Sequence, residues 1–95
     1  MQLGPRILSL GDNARIEVDY KDWLYEGAHL TGGVVTLNGS PHSTAGSVTL
    51  NDAKTRLIFF IQAGTVSEVF TVTVQATATD GQIVNDSILI TVQNP

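Results

Sequence analysis

An all-β sandwich of about seven strands in two sheets is the fold this sequence predicts, and three observations carry that expectation. Thr, Val and Ile make up 28 of the 95 residues, and side chains branched at Cβ suit a pleated backbone better than a helix. Apolar and polar residues alternate in short runs, the period of a strand with one buried face. Turn residues separate these runs at short intervals, as they do in sandwiches of this length. No window of about 11 residues shows a 3.6-residue apolar period, so no long helix is expected.

Met1 to Gly4 read as an N-terminal arm, followed by a weak apolar run from Arg6 to Leu10 and a corner at Gly11-Asp12-Asn13. Ala14, Ile16, Val18 and Tyr20 alternate with Arg15, Glu17 and Asp19, the mark of a half-buried strand. Asp22-Trp23-Leu24-Tyr25-Glu26-Gly27 breaks the alternation and reads as an ordered structural corner, anchored by Trp23 and Leu24. A weaker run spans Leu30 to Leu37, with Gly32-Gly33 marking a corner. Asn38-Gly39-Ser40-Pro41 is a turn, because Asn and Gly tolerate positive φ and Pro cannot donate to a ladder. Further weak runs lie at Ser47 to Leu50 and Lys54 to Gln62, cornered by Asn51-Asp52 and Ala63-Gly64-Thr65. Phe70, Val72, Val74, Ala76 and Ala78, interleaved with Thr71, Thr73, Gln75, Thr77 and Thr79, form the cleanest strand pattern. Asp80-Gly81 stands where a tight hairpin belongs. Ile88, Ile90 and Val92 alternate with Ser87, Leu89 and Thr91 in the last strand, and Gln93 to Pro95 read as a frayed end. Residues 1–95 are thus expected to form one domain, an immunoglobulin-like antiparallel β-sandwich.

Five Lys+Arg against nine Asp+Glu leave a net charge of −4, with 42% hydrophobic and 15% charged residues. That balance is the reverse of a disordered chain's. Mild acidity counts against nucleic acid and membrane as partners, since both polyanions select clustered Lys and Arg. No stretch approaches the roughly 20 apolar residues that cross a bilayer. Gly4, Pro5 and Arg6 interrupt the run that a secretory signal would need. With no cysteine there is neither a disulfide framework nor a thiolate site.

His29 and His42 have no partners at metal-ligand spacing. Asp19, Asp22 and Glu26 lack the Gly-punctuated carboxylate loop of a calcium site and read as solvated corner residues. No nucleophile elbow, phosphate loop or paired metal histidines occur, so no catalytic residue, metal or cofactor is expected and the chain is not read as an enzyme. Asn38-Gly39-Ser40 and Asn85-Asp86-Ser87 match a glycosylation triplet, yet both fall where turn or strand-edge residues belong. The anomaly is Leu57-Ile58-Phe59-Phe60-Ile61, apolar on both faces of a strand. Val69 and Leu89 likewise stand among outward Thr and Ser. Either the terminal strands or the Trp23 corner fold over these residues, or Ile58, Phe60, Val69 and Leu89 form a protein–protein interface.

The order Asp19-Tyr20-Lys21-Asp22-Trp23-Leu24, then Gly27-Ala28-His29-Leu30, Ile61-Gln62-Ala63-Gly64-Thr65, Phe70-Thr71-Val72-Thr73-Val74, Ala76-Thr77-Ala78-Thr79-Asp80-Gly81-Gln82 and Asp86-Ser87-Ile88-Leu89-Ile90-Thr91-Val92 resembles the immunoglobulin-like domains of tailed-bacteriophage structural proteins. Val66-Ser67-Glu68-Val69 departs from that pattern, which is richer in Gly and Thr after the Gly-Thr loop. The resemblance implies a virion component made in the bacterial cytoplasm. A single small sandwich then suggests a head decoration or cement protein that binds the major capsid protein or another virion protein and assembles with itself, as a trimer. Tail, neck or fibre attachment is the alternative within that class. A carbohydrate-binding, adhesin-like module is the alternative outside it, with Tyr20, Trp23 and Tyr25 as its rings.

Overall fold

The computed structural model describes residues 4–39 and 42–94 and contains eight strands and no helix among them. They are β1 (Arg6–Ser9), β2 (Asn13–Asp19), β3 (Leu30–Asn38), β4 (Thr44–Ala45), β5 (Thr49–Leu50), β6 (Arg56–Gln62), β7 (Glu68–Ala78) and β8 (Ile83–Gln93). One sheet has the order β1-β8-β7-β3, and the other has β2-β6-β4 with β5 also paired to β6. Immunoglobulin-like sandwiches likewise set their third, sixth and seventh strands against the second, fourth and fifth; here the first strand joins the former sheet. Every pairing is antiparallel except that of β1 with β8, which is parallel. The chain leaves β1 in one sheet, turns where Asp12 N–H donates to the Ser9 carbonyl at 3.0 Å, and enters β2 in the other.

Alternation puts the core where it was expected. Ile16, Val18 and Tyr20 meet Leu57, Phe59 and Ile61 on one sheet and Phe70, Val72, Val74, Ile88, Ile90 and Val92 on the other, all buried. Each such aliphatic or aromatic side chain contributes about 1.5–3 kcal/mol. The Asp80-Gly81 hairpin forms as read: Gly81 takes φ 88° and its N–H donates to the Ala78 carbonyl at 3.0 Å.

Elsewhere the structure corrects the sequence reading. Gly32 and Gly33 are not a corner but lie inside β3, just past a register shift between Leu30 and Gly32. A side chain at Gly33 would strike Leu57 Cδ1 and stand 2.8 Å from the Gln75 carbonyl oxygen, so the close approach of the sheets requires glycine there. β8 begins at Ile83 rather than Ser87, because the inward position at its centre is filled by Asp86 and breaks the apolar pattern. Gln93 stays in β8 opposite Ser9 instead of fraying. β4 carried no sequence signal at two residues. Met1–Leu3, most of the expected arm, lie outside the described residues, as do Ser40 and Pro41 of the expected turn and Pro95.

Asp86 is the exception in the core. Its Oδ2 accepts a 2.7 Å hydrogen bond from the Tyr20 hydroxyl, joining β8 to the end of β2 across the two sheets. Both residues are 2% exposed. Burial, then the hydrogen bond to Asp86 and then its charge push the Tyr20 phenol well above its ordinary pKa. In a chain without cysteine this bond is a polar link between sheets.

A second polar cluster fastens the loops at one end. Glu68 accepts the backbone N–H of His42 at 2.9 Å and of Ser43 at 3.0 Å, plus the Ser43 hydroxyl at 2.7 Å. Ser43 Oγ in turn accepts the Gly64 N–H at 3.1 Å. Desolvation raises the Glu68 pKa, but the donors from His42 and Ser43 outweigh it and hold the carboxyl below its ordinary value. A depressed carboxyl stabilises the fold above the unfolded-state pKa, about 4.3, and that contribution disappears as pH falls through the lower folded value. Glu68→Gln should therefore cost about 2 kcal/mol in urea denaturation at pH 7. The difference from wild type should shrink below pH 4; an equal difference at pH 3 would show that the carboxylate charge is not what these donors hold.

Candidate functional site

The outward side chains of the two sheets differ in kind. On β2 and β6 they include Arg15, Glu17, Asp19 and Arg56, tied by an Arg15–Glu17 ion pair of 2.8 Å and an Arg56–Asp19 pair of 3.6 Å. On the β1-β8-β7-β3 sheet no outward position carries a charge. Register sets its rows: Ile7 and Val69 flank Thr91, Leu89 stands opposite Thr71, Ser87 opposite Thr73, Asn85 opposite Gln75 and Ile83 opposite Thr77. β3 completes them with Val34 beside Gln75, Thr36 beside Thr73 and Asn38 beside Thr71. Ile7 and Val69 are 66% and 63% exposed and Leu89 38%, so an apolar corner surrounds Thr91 on an otherwise hydroxyl- and amide-covered plane.

This surface is neutral because β3 has no charged residue, β7 and β8 turn their acids inward, and Arg6 of β1 lies off its outward row. Asp86 and Glu68 both point inward, the first to Tyr20 and the second to the loop cluster. Charge depletion with scattered large apolar residues is the composition of an interface centre rather than of ordinary solvated surface.

The four sequence-predicted interface residues do not come together. Val69 and Leu89 share the neutral face. Phe60, 42% exposed, points from the opposite sheet, and Ile58 beside it is only 9% exposed. Ile58 lies on the central strand of its sheet between Glu17 of β2 and Thr49 of β5, whose side chains flank it. Ile7, missed in the sequence, joins Val69 and Leu89 because β1 pairs with β8, and nothing in a four-residue run announces that pairing.

Trp23 and Leu24 are half-buried and pack against the core, with the Trp23 ring set edge-on to Tyr20 at 5.8 Å. Both Trp23 and Leu24 N–H groups donate to the Tyr20 carbonyl at 3.0 Å, which closes the corner. Of the three rings considered for sugar stacking, Tyr20 is buried and bonded to Asp86, Trp23 faces the core and Tyr25 alone is exposed. Asp19 is engaged by the Lys21 N–H and by Arg56. Among the described residues no three His, Cys, Asp or Glu side chains are grouped to hold a metal ion.

Fold and surface together define an immunoglobulin-like β-sandwich with one charged and one neutral face. A family model described as podophage GP4 fiber-tail adaptor protein gp77 matches residues 9–91, and the chain belongs to that family. A search of curated proteins gives no match. The family is one of bacteriophage structural proteins, and it favours the tail or fibre attachment alternative over head decoration.

Proposed function

We propose that this chain is a non-enzymatic adaptor domain of the phage virion that joins tail and fibre proteins through the neutral face of its β1-β8-β7-β3 sheet. The observation that carries this reading is the absence of charge from the outward positions of four adjacent strands, around the exposed Ile7, Val69 and Leu89. The family's description as a fibre-tail adaptor supplies the setting. Thr, Ser, Asn and Gln provide hydrogen bonds that need no charge to be desolvated, and the three aliphatics provide the apolar anchor. Phe60, on the charged side, is a separate contact in this reading or none.

The test is incorporation into particles. Val69→Glu with Leu89→Lys should lower the amount of this chain in purified virions at least roughly tenfold, the effect of losing a buried anchor, with the melting temperature within a few degrees of wild type. Phe60→Glu should leave incorporation unchanged. Undiminished incorporation of the double variant would remove the neutral face from the proposal, and immunogold labelling confined to heads would remove the adaptor role.

A further inference from the structure

Sheet edges invite pairing unless they are short, charged, interrupted or covered, and the four edges of this sandwich are unequally guarded. β1 has four residues, starts at Arg6 and follows Pro5. β4 and β5 have two residues each. β2 carries Arg15, Glu17 and Asp19. These odd positions are also the ones whose backbone groups point off the edge, since the Tyr20 N–H and the Asp12 carbonyl bond towards the β6 side. β3 is guarded only at its start, by the register shift between Leu30 and Gly32; its nine residues, Leu-Thr-Gly-Gly-Val-Val-Thr-Leu-Asn, hold no charge and no proline.

Parity decides which backbone groups β3 leaves open. The Thr79 N–H donates to the His29 carbonyl, and Ala78 N–H donates to Gln82 on the other side. Odd residues of β7 therefore bond to β3, through Gly32, Val34, Thr36 and Asn38. Gly33, Val35 and Leu37 direct their N–H and C=O groups outward. At the Leu30 end the edge is closed by a 2.8 Å bond to the Lys54 carbonyl. From Gly33 to Leu37 no backbone partner stands opposite among the described residues.

We infer that this edge pairs with the same edge of a second copy, antiparallel about a two-fold axis at Val35, so that the neutral four-stranded sheet becomes an eight-stranded one. The register is self-complementary. Val35 faces its own copy, and Gly33 faces Leu37, placing the smallest residue opposite the largest. On the outer surface Val34 meets Thr36, with no charge on either side. For a chain of net charge −4, an edge strand with no charged residue lets two copies pair without like charges facing each other along the new ladder. The five residues from Gly33 to Leu37 span about 17 Å and the molecule is 18 Å thick. The contact is then roughly 300 Å² per copy, below the size of stable interfaces, so association is weak and reversible. The symmetry is two-fold, in place of the trimer suggested by the sequence resemblance. This inference does not rest on the adaptor reading, and it concerns a different surface from the Val69–Leu89 corner.

Light scattering on the purified chain, from about 1 µM to 1 mM, should show mass rising from monomer to dimer. Amide exchange at Gly33, Val35 and Leu37 should slow over the same range. Val34→Lys with Thr36→Lys sets two ammonium groups against each other across the axis; both positions are exposed, so the variant folds and should stay monomeric throughout. Leu89→Lys, on the same sheet but away from the edge, should dimerise as wild type does. A wild-type monomer at 1 mM, a dimer abolished by Leu89→Lys, or a dimer that survives the double lysine variant would each overturn the proposal.

Discussion

Val74→Asp is expected to abolish cooperative folding. Val74 has no exposed surface and lies on the central strand β7, between Val35 of β3 and Asp86 of β8. A carboxylate there has no donor to meet it, and the neighbour in register is another buried acid. Desolvation and like-charge proximity act in the same direction. The cost is about 5 kcal/mol or more, comparable to the whole stability of a small domain. Loss of the near-ultraviolet dichroism of Trp23 and of a sigmoidal urea transition would report it. A variant that still unfolds cooperatively would reverse the facing of β7.

Tyr20→Phe is the second large effect. It keeps the ring and its edge contact with Trp23 but removes the hydroxyl that donates to Asp86 across the core. Removing a donor from a buried carboxylate costs about 2–3 kcal/mol. The variant also has a signature in alkali. Because the folded-state pKa of Tyr20 is raised, its contribution is complete below the unfolded value near 10 and declines as pH climbs above it, where the unfolded chain ionises first. Wild type should therefore lose stability between about pH 10 and 11 more steeply than Tyr20→Phe. Parallel curves for the two proteins would mean that the phenol titrates normally in the fold.

The residues that made the fold legible were those whose side chains follow strict alternation. Phe70 to Ala78 and Ala14 to Tyr20 are strands with one dry face, and a period of two admits little else. Alternation failed at Asp86, because a buried acid looks like a turn residue until its partner, 66 positions away, is seen. Gly32-Gly33 was misread for a related reason: glycine marks both corners and close approaches, and only the position of Leu57 distinguishes them. Half of the candidate surface was also present in the sequence. Outward positions of the strand from Val69 to Thr79 are free of charge, and so is the whole of Leu30 to Asn38. What could not be read was the lateral order of the strands. That order brings Ile7 beside Val69 and Leu89, sends Phe60 to the opposite side, and leaves β3 rather than β7 at the margin.

The parallel ladder between β1 and β8 has a mechanical consequence. Because the two strands run in the same direction, with Arg6 beside Ile90 and Ser9 beside Gln93, the segment entering β1 and the segment leaving β8 depart from opposite ends of the ladder. Tension between those segments slides one strand along the other and strains the rungs together, whereas an antiparallel pair pulled from one end unzips rung by rung. A module held between two larger bodies by its first and last strands is in this way gripped in shear.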